Sequence, residues 1–267
     1  KFLRKYGITV LAYQKRGTGQ STGDCSMATI EDLAEDLHQA KKYLEAHPNN
    51  YEKIGVLGIS AGGWTMTKAE EQTDFDFMIS IVGPSTSVKD QQLQSMEYGA
   101  AFYKLSPNAK QNLRKYTNLM FDAEETDAGF AEMERLLAKA KKEQWQQLLE
   151  DTDVPASSSD ISNLWVRRHN YDPQKILEQY NKPFLAIYGE RDWIVPPKEN
   201  IQLLEKYFAK KEAKLNTIVA YNAEHGMEME ARRVELSMDQ SYWHFYRISP
   251  EVRIEIVNFL MKYGLIE

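Results

Sequence analysis

The chain has 267 residues, 42% of them hydrophobic and 11% aromatic, enough to bury one substantial core with an added subdomain. Its 33 Lys and Arg against 39 Asp and Glu give a net charge of −6, and no long basic run offsets it, which excludes nucleic acid and anionic membrane as expected partners. A single cysteine, Cys25, excludes an internal disulfide framework and a thiolate metal cluster.

No apolar run approaches the ~20 residues needed to span a bilayer, and no charged-then-apolar signal segment opens the sequence. The first residue is Lys1 rather than Met, so an upstream piece is expected and the compartment stays open.

Residues 8–13, Ile-Thr-Val-Leu-Ala-Tyr, form a short β-branched apolar run before a turn-rich stretch holding Gly17, Gly19 and Gly23, and read as a buried strand. From Thr29, the residues Leu33, Leu37, Ala40 and Leu44 recur at helical spacing with acidic residues between them, and His47-Pro48-Asn49-Asn50 ends that helix. A second strand is expected over 53–57, a tight turn over 58–63 and a helix over 64–71. A third strand is expected over 77–82, closed by Gly83-Pro84. Nearly continuous apolar strands alternating with helices predict a mostly parallel sheet covered on both faces.

The rhythm then changes. Between residues 85 and 181 there is no convincing strand but several helical stretches, the clearest over 128–149, with residues 151–160 as a loop. Richness in Tyr, Leu and Trp, rather than Gly and Ser, predicts a helical insertion and not a linker. The α/β pattern resumes with a strand over 183–189, a helix over 199–210, a strand over 215–221 and a last helix over 250–263. The expected organisation is a core of residues 1–84 and 182–267 carrying a helical cap of residues 85–181.

Gly58-Ile59-Ser60-Ala61-Gly62 fits the nucleophile-elbow pattern and lies between an expected strand and an expected helix. A serine in such a strained turn needs neighbours without side chains, and the helix that follows aims N–H groups at the oxygen of a reacting carbonyl. The backbone N–H of Ala61 is expected to supply one of those donors. A lone serine is a poor nucleophile, so a base and an orienting acid are required downstream. Of the five histidines, His38 lies on a charged helix, His47 precedes a proline, His169 sits in the insertion and His244 lies among aromatics. His225 alone follows a sheet strand in a short loop, beside Gly226. Asp192, in Gly189-Glu190-Arg191-Asp192-Trp193, also follows a strand, and Glu190 is its rival. The bland readings are a turn aspartate that caps a helix and a loop histidine without a role.

With these residues in place, the chain resembles the α/β-hydrolases of the esterase, lipase and serine-aminopeptidase-like group. The likeness runs through the segment around Arg16 and Gly17, the Ser60 elbow, residues 189–197 and the His225 loop, and so spans essentially the whole sequence. Relatives commonly read Tyr-Asp-Lys-Arg-Gly-x-Gly-x-Ser in the first segment. Gln14 replaces the aspartate here and is expected to leave Arg16 short of one anionic neighbour. Ile59 and Ala61 make the elbow less polar than in many relatives.

The resemblance also implies earlier strands and a Gly-containing loop that donates the second oxyanion N–H. Without them, a sheet spanning residues 8–221 would have a gap between its first two strands. An upstream segment, cut away or carried as a separate chain, is expected to complete both the sheet and the oxyanion hole.

The resulting expectation is acyl transfer to water at a small carboxylic ester with an apolar or aromatic acyl group, catalysed by Ser60, His225 and Asp192 with no cofactor and no metal. Trp64, Trp193, Trp165 and Tyr98, with Phe102 and Tyr103, are the expected pocket residues, and the competing reading makes them the core of the cap. A thioesterase, acyltransferase or aminopeptidase-like amidase would use the same three residues. A non-catalytic ligand-binding protein on this scaffold is the alternative from another class.

Overall fold

Four short apolar segments pair side by side and in parallel in the order β1-β2-β3-β4: β1 (Val56–Ile59), β2 (Met78–Ile81), β3 (Phe184–Gly189) and β4 (Leu215–Ala220). This computed structural model describes residues 2–211, 214–228 and 248–266. β3 lies in the middle, is buried along its whole length and carries no charged residue, as expected of a strand covered on both faces. Its alternation sorts side chains between two cores. Phe184, Ala186 and Tyr188 pack with residues of α1 (Ile30–Glu45), α2 (Gly62–Glu70) and α8 (Pro197–Tyr207), whereas Leu185 and Ile187 pack with Val252, Ile256 and Phe259 of α9 (Pro250–Lys262).

α1 begins where its sequence allows a reciprocal cap. The Asp32 N–H donates to Thr29 Oγ1 at 3.2 Å and the Thr29 N–H donates to Asp32 Oδ2 at 2.9 Å, an arrangement worth about 1 kcal/mol.

Between β2 and β3 the chain forms α3 (Val88–Phe102), α4 (Pro107–Asp122), α5 (Asp127–Ala140), α6 (Trp165–Arg168) and α7 (Gln174–Gln179). The first four surround a further core, containing Tyr116, Met120, Met133, Leu136 and Trp145 and shared with Ile30 of α1 and Trp64 of α2. Leu177 and Tyr180, at α7, pack instead into the core beneath the sheet.

Three expectations need correction. Residues 8–13 form no strand: Val10, Leu11 and Tyr13 are exposed, and none of the four paired strands takes this segment as a neighbour. Its β-branched residues suit a pleated surface, but a strand exists only through a hydrogen-bonding partner. Accordingly, β1 is the edge of the described sheet, and its alternate side chains Leu57 and Ile59 are 40% and 59% exposed rather than covered.

The helix expected over 128–149 ends at Ala140. Gln144 takes a left-handed conformation with φ 64°, and the turn delivers Trp145 into the core beside Tyr116. The loop expected over 151–160 contains the short 3-10 turns Asp151–Asp153 and the start of Ser158–Asn163.

Candidate active site

The elbow follows from two close approaches of backbone. A Cβ on Gly58 would stand 2.4 Å from the Gly62 carbonyl oxygen, and one on Gly63 would stand 2.8 Å from Gly83 Cα, so both positions require glycine. Gly62 faces open space, so the motif's last glycine is not needed for room. Between them Ser60 holds φ 53°, a conformation that costs a non-glycine residue about 1 kcal/mol or more. The turn is pinned by the Ser60 N–H, which donates to the Ile81 carbonyl at 2.9 Å, and by the Gly63 N–H, which donates to the Ser60 carbonyl at 2.8 Å.

Asp192 lies just past β3. The Arg191 N–H donates to the Ala223 carbonyl, and a Cβ on Gly189 would meet the carbonyl oxygens of Ala223 and Glu224 at 2.6 and 2.7 Å. Only glycine therefore lets the loop after β4 come close enough to carry His225 to Asp192. Glu190, the rival acid, accepts the Asn222 N–H at 2.8 Å and helps to shape that same loop.

These elements bring three side chains together. His225 Nδ1 is 2.8 Å from Asp192 Oδ2, and His225 Nε2 is 2.9 Å from Ser60 Oγ. An ionised carboxylate only accepts, so Nδ1 carries the proton and donates to Asp192. Nε2 is then free to accept from the Ser60 hydroxyl. The Asp192 side chain is fully enclosed and that of His225 one quarter exposed. The other Asp192 oxygen, Oδ1, accepts the N–H groups of Ile194 and Val195, both at 2.9 Å. Among the described residues the Ala61 N–H, first after the serine, donates to no partner. Such a set can transfer a hydroxyl proton to a ring and hold a negative oxygen beside it.

The remaining histidines lie elsewhere. His38 Nδ1 is 2.9 Å from Thr73 Oγ1, and His47 stacks on Tyr51. His169 is buried, its Nδ1 2.9 Å from the Trp165 carbonyl, and burial pushes its ring to a lower pKa than usual. His244 lies outside the described residues.

Trp64 is 3% exposed and donates its indole N–H to the Thr86 carbonyl at 2.8 Å, so it is a core residue beneath the site. Trp165 packs on it at 6.2 Å between ring centres, and both Trp165 and Trp193 lie half-buried against the same apolar cluster as Ala61. Trp193 stacks on Phe102, which is 61% exposed. The Tyr98 hydroxyl donates to Glu199 Oε1 at 2.6 Å, a bond that pushes its pKa up to about 12. Tyr98, Phe102 and Tyr103 all present surface rather than filling the core of the inserted helices.

Two polar residues escaped sequence reasoning. Gln91 and Asn200 are both buried, and both hold the segment after Asp192. Asn200 was detectable in principle, since it shares the buried stripe of α8 with Leu204 and Tyr207, where an apolar residue is the norm.

Arg16 is not short of anions. Its guanidinium bonds both oxygens of Asp36 and meets Asp32 Oδ1 at 2.6 Å, because α1 supplies the acids that Gln14 does not. The side-chain oxygen of Gln14 accepts the Gln20 N–H at 2.7 Å and so orders the turn itself.

The sequence profile of the serine aminopeptidase S33 family of hydrolases matches residues 1–231. The chain belongs to this family. It is thus an α/β-hydrolase, and the parallel sheet flanked by helices is that fold. No curated protein sequence is a significant match. Among solved structures it is similar to an esterase of Pyrococcus furiosus, at 18% identity over 98% of this chain and 72% of that one, with a TM-score of 0.54. A thermophilic esterase from Thermogutta terrifontis matches at 17% identity over 92% and 77%, with a TM-score of 0.48. A bromoperoxidase from Bacillus anthracis matches at 17% over 93% and 80%, also at 0.48. At 18% identity the likeness of this S33 family member to the Pyrococcus furiosus esterase is one of fold. Among its described residues no helix is long and apolar enough to cross a membrane, and no three His, Cys, Asp or Glu side chains group as a metal site.

Proposed function

We propose that this hydrolase is a serine esterase in which Ser60 is the nucleophile, His225 the general base and Asp192 the acid that orients the ring. The observation that carries the reading is the pair of hydrogen bonds made by one imidazole, 2.8 Å to a buried carboxylate and 2.9 Å to a hydroxyl held in a strained turn. His225 takes the Ser60 proton as the oxygen attacks the ester carbonyl, and the imidazolium that forms faces Asp192. The Ala61 N–H, which donates to none of the described residues, stabilises the tetrahedral oxyanion. His225 returns the proton to the leaving alcohol, giving an acyl-Ser60 intermediate. Water, deprotonated by the same ring, then releases the carboxylic acid and restores Ser60.

Residues 85–181 act as a cap over this centre. Trp165 and Trp193, half-buried against the cluster that includes Ala61, line the acyl side and favour a small apolar or aromatic acyl group. Trp64 supports Trp165 from behind. Tyr98 and Phe102 lie further out, in contact with Glu199 and Trp193. The family's description names aminopeptidases, so an amide of an amino-terminal residue is the second substrate class. The esterase of Pyrococcus furiosus, which has the same fold, speaks for esters first.

A further strand is proposed to pair with the outer edge of β1, covering the exposed Leu57 and Ile59 and bringing the second oxyanion donor. The chain of residues 1–267 on its own should then be poorly active or self-associated, and a monomeric, cooperatively folded and fully active preparation refutes that strand. A panel of nitrophenyl esters of graded acyl length, with anilides and thioesters beside it, tests the main reading. Hydrolysis of short or aryl esters that is lost in Ser60→Ala supports it. A response no different between wild type and Ser60→Ala on every substrate overturns it.

A further inference from the structure

The hydrogen-bond chain that reaches Ser60 does not begin at Asp192. The side-chain amide of Gln91, on α3 of the inserted helices, donates to the Ile194 carbonyl at 2.7 Å, and Gln91 is 6% exposed. That carbonyl shares a peptide unit with the Val195 N–H, which donates to Asp192 Oδ1 at 2.9 Å. A peptide unit is planar and trans, so fixing the direction of its C=O fixes the direction of its N–H. Gln91 thereby sets the angle at which one Asp192 oxygen is held, and with it the direction in which Oδ2 points at His225.

The rest of the segment is braced in the same way. Asn200, fully buried, accepts the Ser85 N–H at 2.7 Å and donates to the Pro196 carbonyl at 2.8 Å, tying the acid's loop to the chain that leaves β2. One face of α3 carries the remaining contacts. Gly99 lies where a Cβ would come within 3.0 Å of the Trp193 ring, Phe102 stacks on that ring, and Tyr98 bonds Glu199. Gln91, Tyr98, Gly99 and Phe102 recur at helical spacing, so a single rigid helix grips residues 192–199 along its length.

We infer that Gln91 is a positioning residue through which the inserted helix α3 orients Asp192 toward His225. The inference rests on the proposed roles of Ser60, His225 and Asp192. Any displacement of α3 by a bound substrate would alter the base as well as the pocket.

The test uses the full chain and two separate readouts. In the first, the low-field proton resonance of His225 Nδ1–H is recorded by NMR in wild type, Gln91→Met and Asp192→Asn. A loosened carboxylate accepts a weaker hydrogen bond, so in Gln91→Met this resonance should move upfield or broaden, the direction taken by Asp192→Asn. An unchanged resonance overturns the inference, and this readout needs no turnover.

In the second, wherever hydrolysis depends on Ser60, Gln91→Met should lower kcat about ten-fold with KM nearly unchanged. The same change made on Asp192→Ala should cost nothing further. An equal loss on both backgrounds means a merely structural role and contradicts the inference. Absence of any Ser60-dependent turnover counts against the esterase reading and leaves the NMR result standing. Should Gln91→Met not fold, Gln91→Glu keeps the length. It should work best at low pH, where its carboxyl can donate, and lose activity relative to wild type as that group ionises. A pH profile parallel to wild type would contradict the inference.

Discussion

Arg16 grips Asp36 with two parallel hydrogen bonds, Nε to Oδ2 and Nη2 to Oδ1, each 2.8 Å long and bridging twenty residues of sequence. The pair ties the glycine-rich turn after residue 13 to helix α1, and the bonds to Asp36 raise the guanidinium pKa further still. Both side chains are about one quarter exposed, so the pair is screened and worth ~1 kcal/mol or less. Asp36→Ala should therefore lower the unfolding midpoint slightly, with a smaller effect at high salt. A thermal melt at two ionic strengths checks this, and a loss that does not depend on salt would assign the effect to packing.

Ser60 holds a positive φ of 53°, a strained conformation that the proposed nucleophile role explains and stability does not. Ser60→Gly removes the proposed nucleophile and relaxes the positive φ, so it should raise stability by about 1 kcal/mol while abolishing hydrolysis. Ser60→Ala should abolish hydrolysis with a smaller change in stability. Urea denaturation of the three proteins decides the order, and a glycine variant less stable than the alanine variant would contradict the strain.

The glycines of the elbow should separate cleanly. Gly62→Ala places its Cβ in open space and should change stability by no more than about 0.5 kcal/mol. Gly58→Ala drives a Cβ into the Gly62 carbonyl and Gly63→Ala drives one into Gly83, so both should destabilise the turn and cut activity. Circular dichroism melts with ester assays distinguish them, and equal tolerance at all three positions would contradict the close approaches.

Glu70 is a half-buried carboxyl whose pKa is pushed up to about 7, chiefly because burial disfavours its charged form. An unfolded glutamate ionises near ~4.3. Between the two values the folded protein holds a proton that the unfolded chain has lost, so this residue's contribution to stability declines as pH rises through that window and is gone above the folded pKa. Asp153, pushed up to about 6 by burial, acts in the same sense at slightly lower pH. Glu70→Gln should thus gain stability relative to wild type between pH 5 and pH 8. Paired melts across that range measure it, and a constant difference would refute the shift.

How much was legible in the sequence differs by element. β2 and β3 carry only apolar or small residues, and their periodicity is that of strands covered on both faces. Residues 8–13 look the same in composition yet pair with none of the four strands, since composition cannot supply a neighbour. Ser60, Asp192 and His225 were readable because each follows a strand in a glycine-marked loop, and a parallel sheet brings such loops to one edge. Gln91 was not readable. Its role depends on a carbonyl 103 residues away in the chain, and helical spacing says only which residues share a face. Trp64 shows the opposite limit, where nearness to the serine in sequence suggested a pocket wall and the folded chain buries the ring.

The central claim is that a ring held by Asp192 makes the Ser60 hydroxyl reactive. A fluorophosphonate reports this without any knowledge of substrate, because it bonds covalently to an activated serine. Intact mass and peptide mapping should show one adduct per chain, located at Ser60. Labelling should be absent in Ser60→Ala and slowed by several orders of magnitude, about 10⁴-fold or more, in His225→Ala. Failure of Ser60 to label in a folded, active preparation, or labelling at an unchanged rate in His225→Ala, would contradict the account.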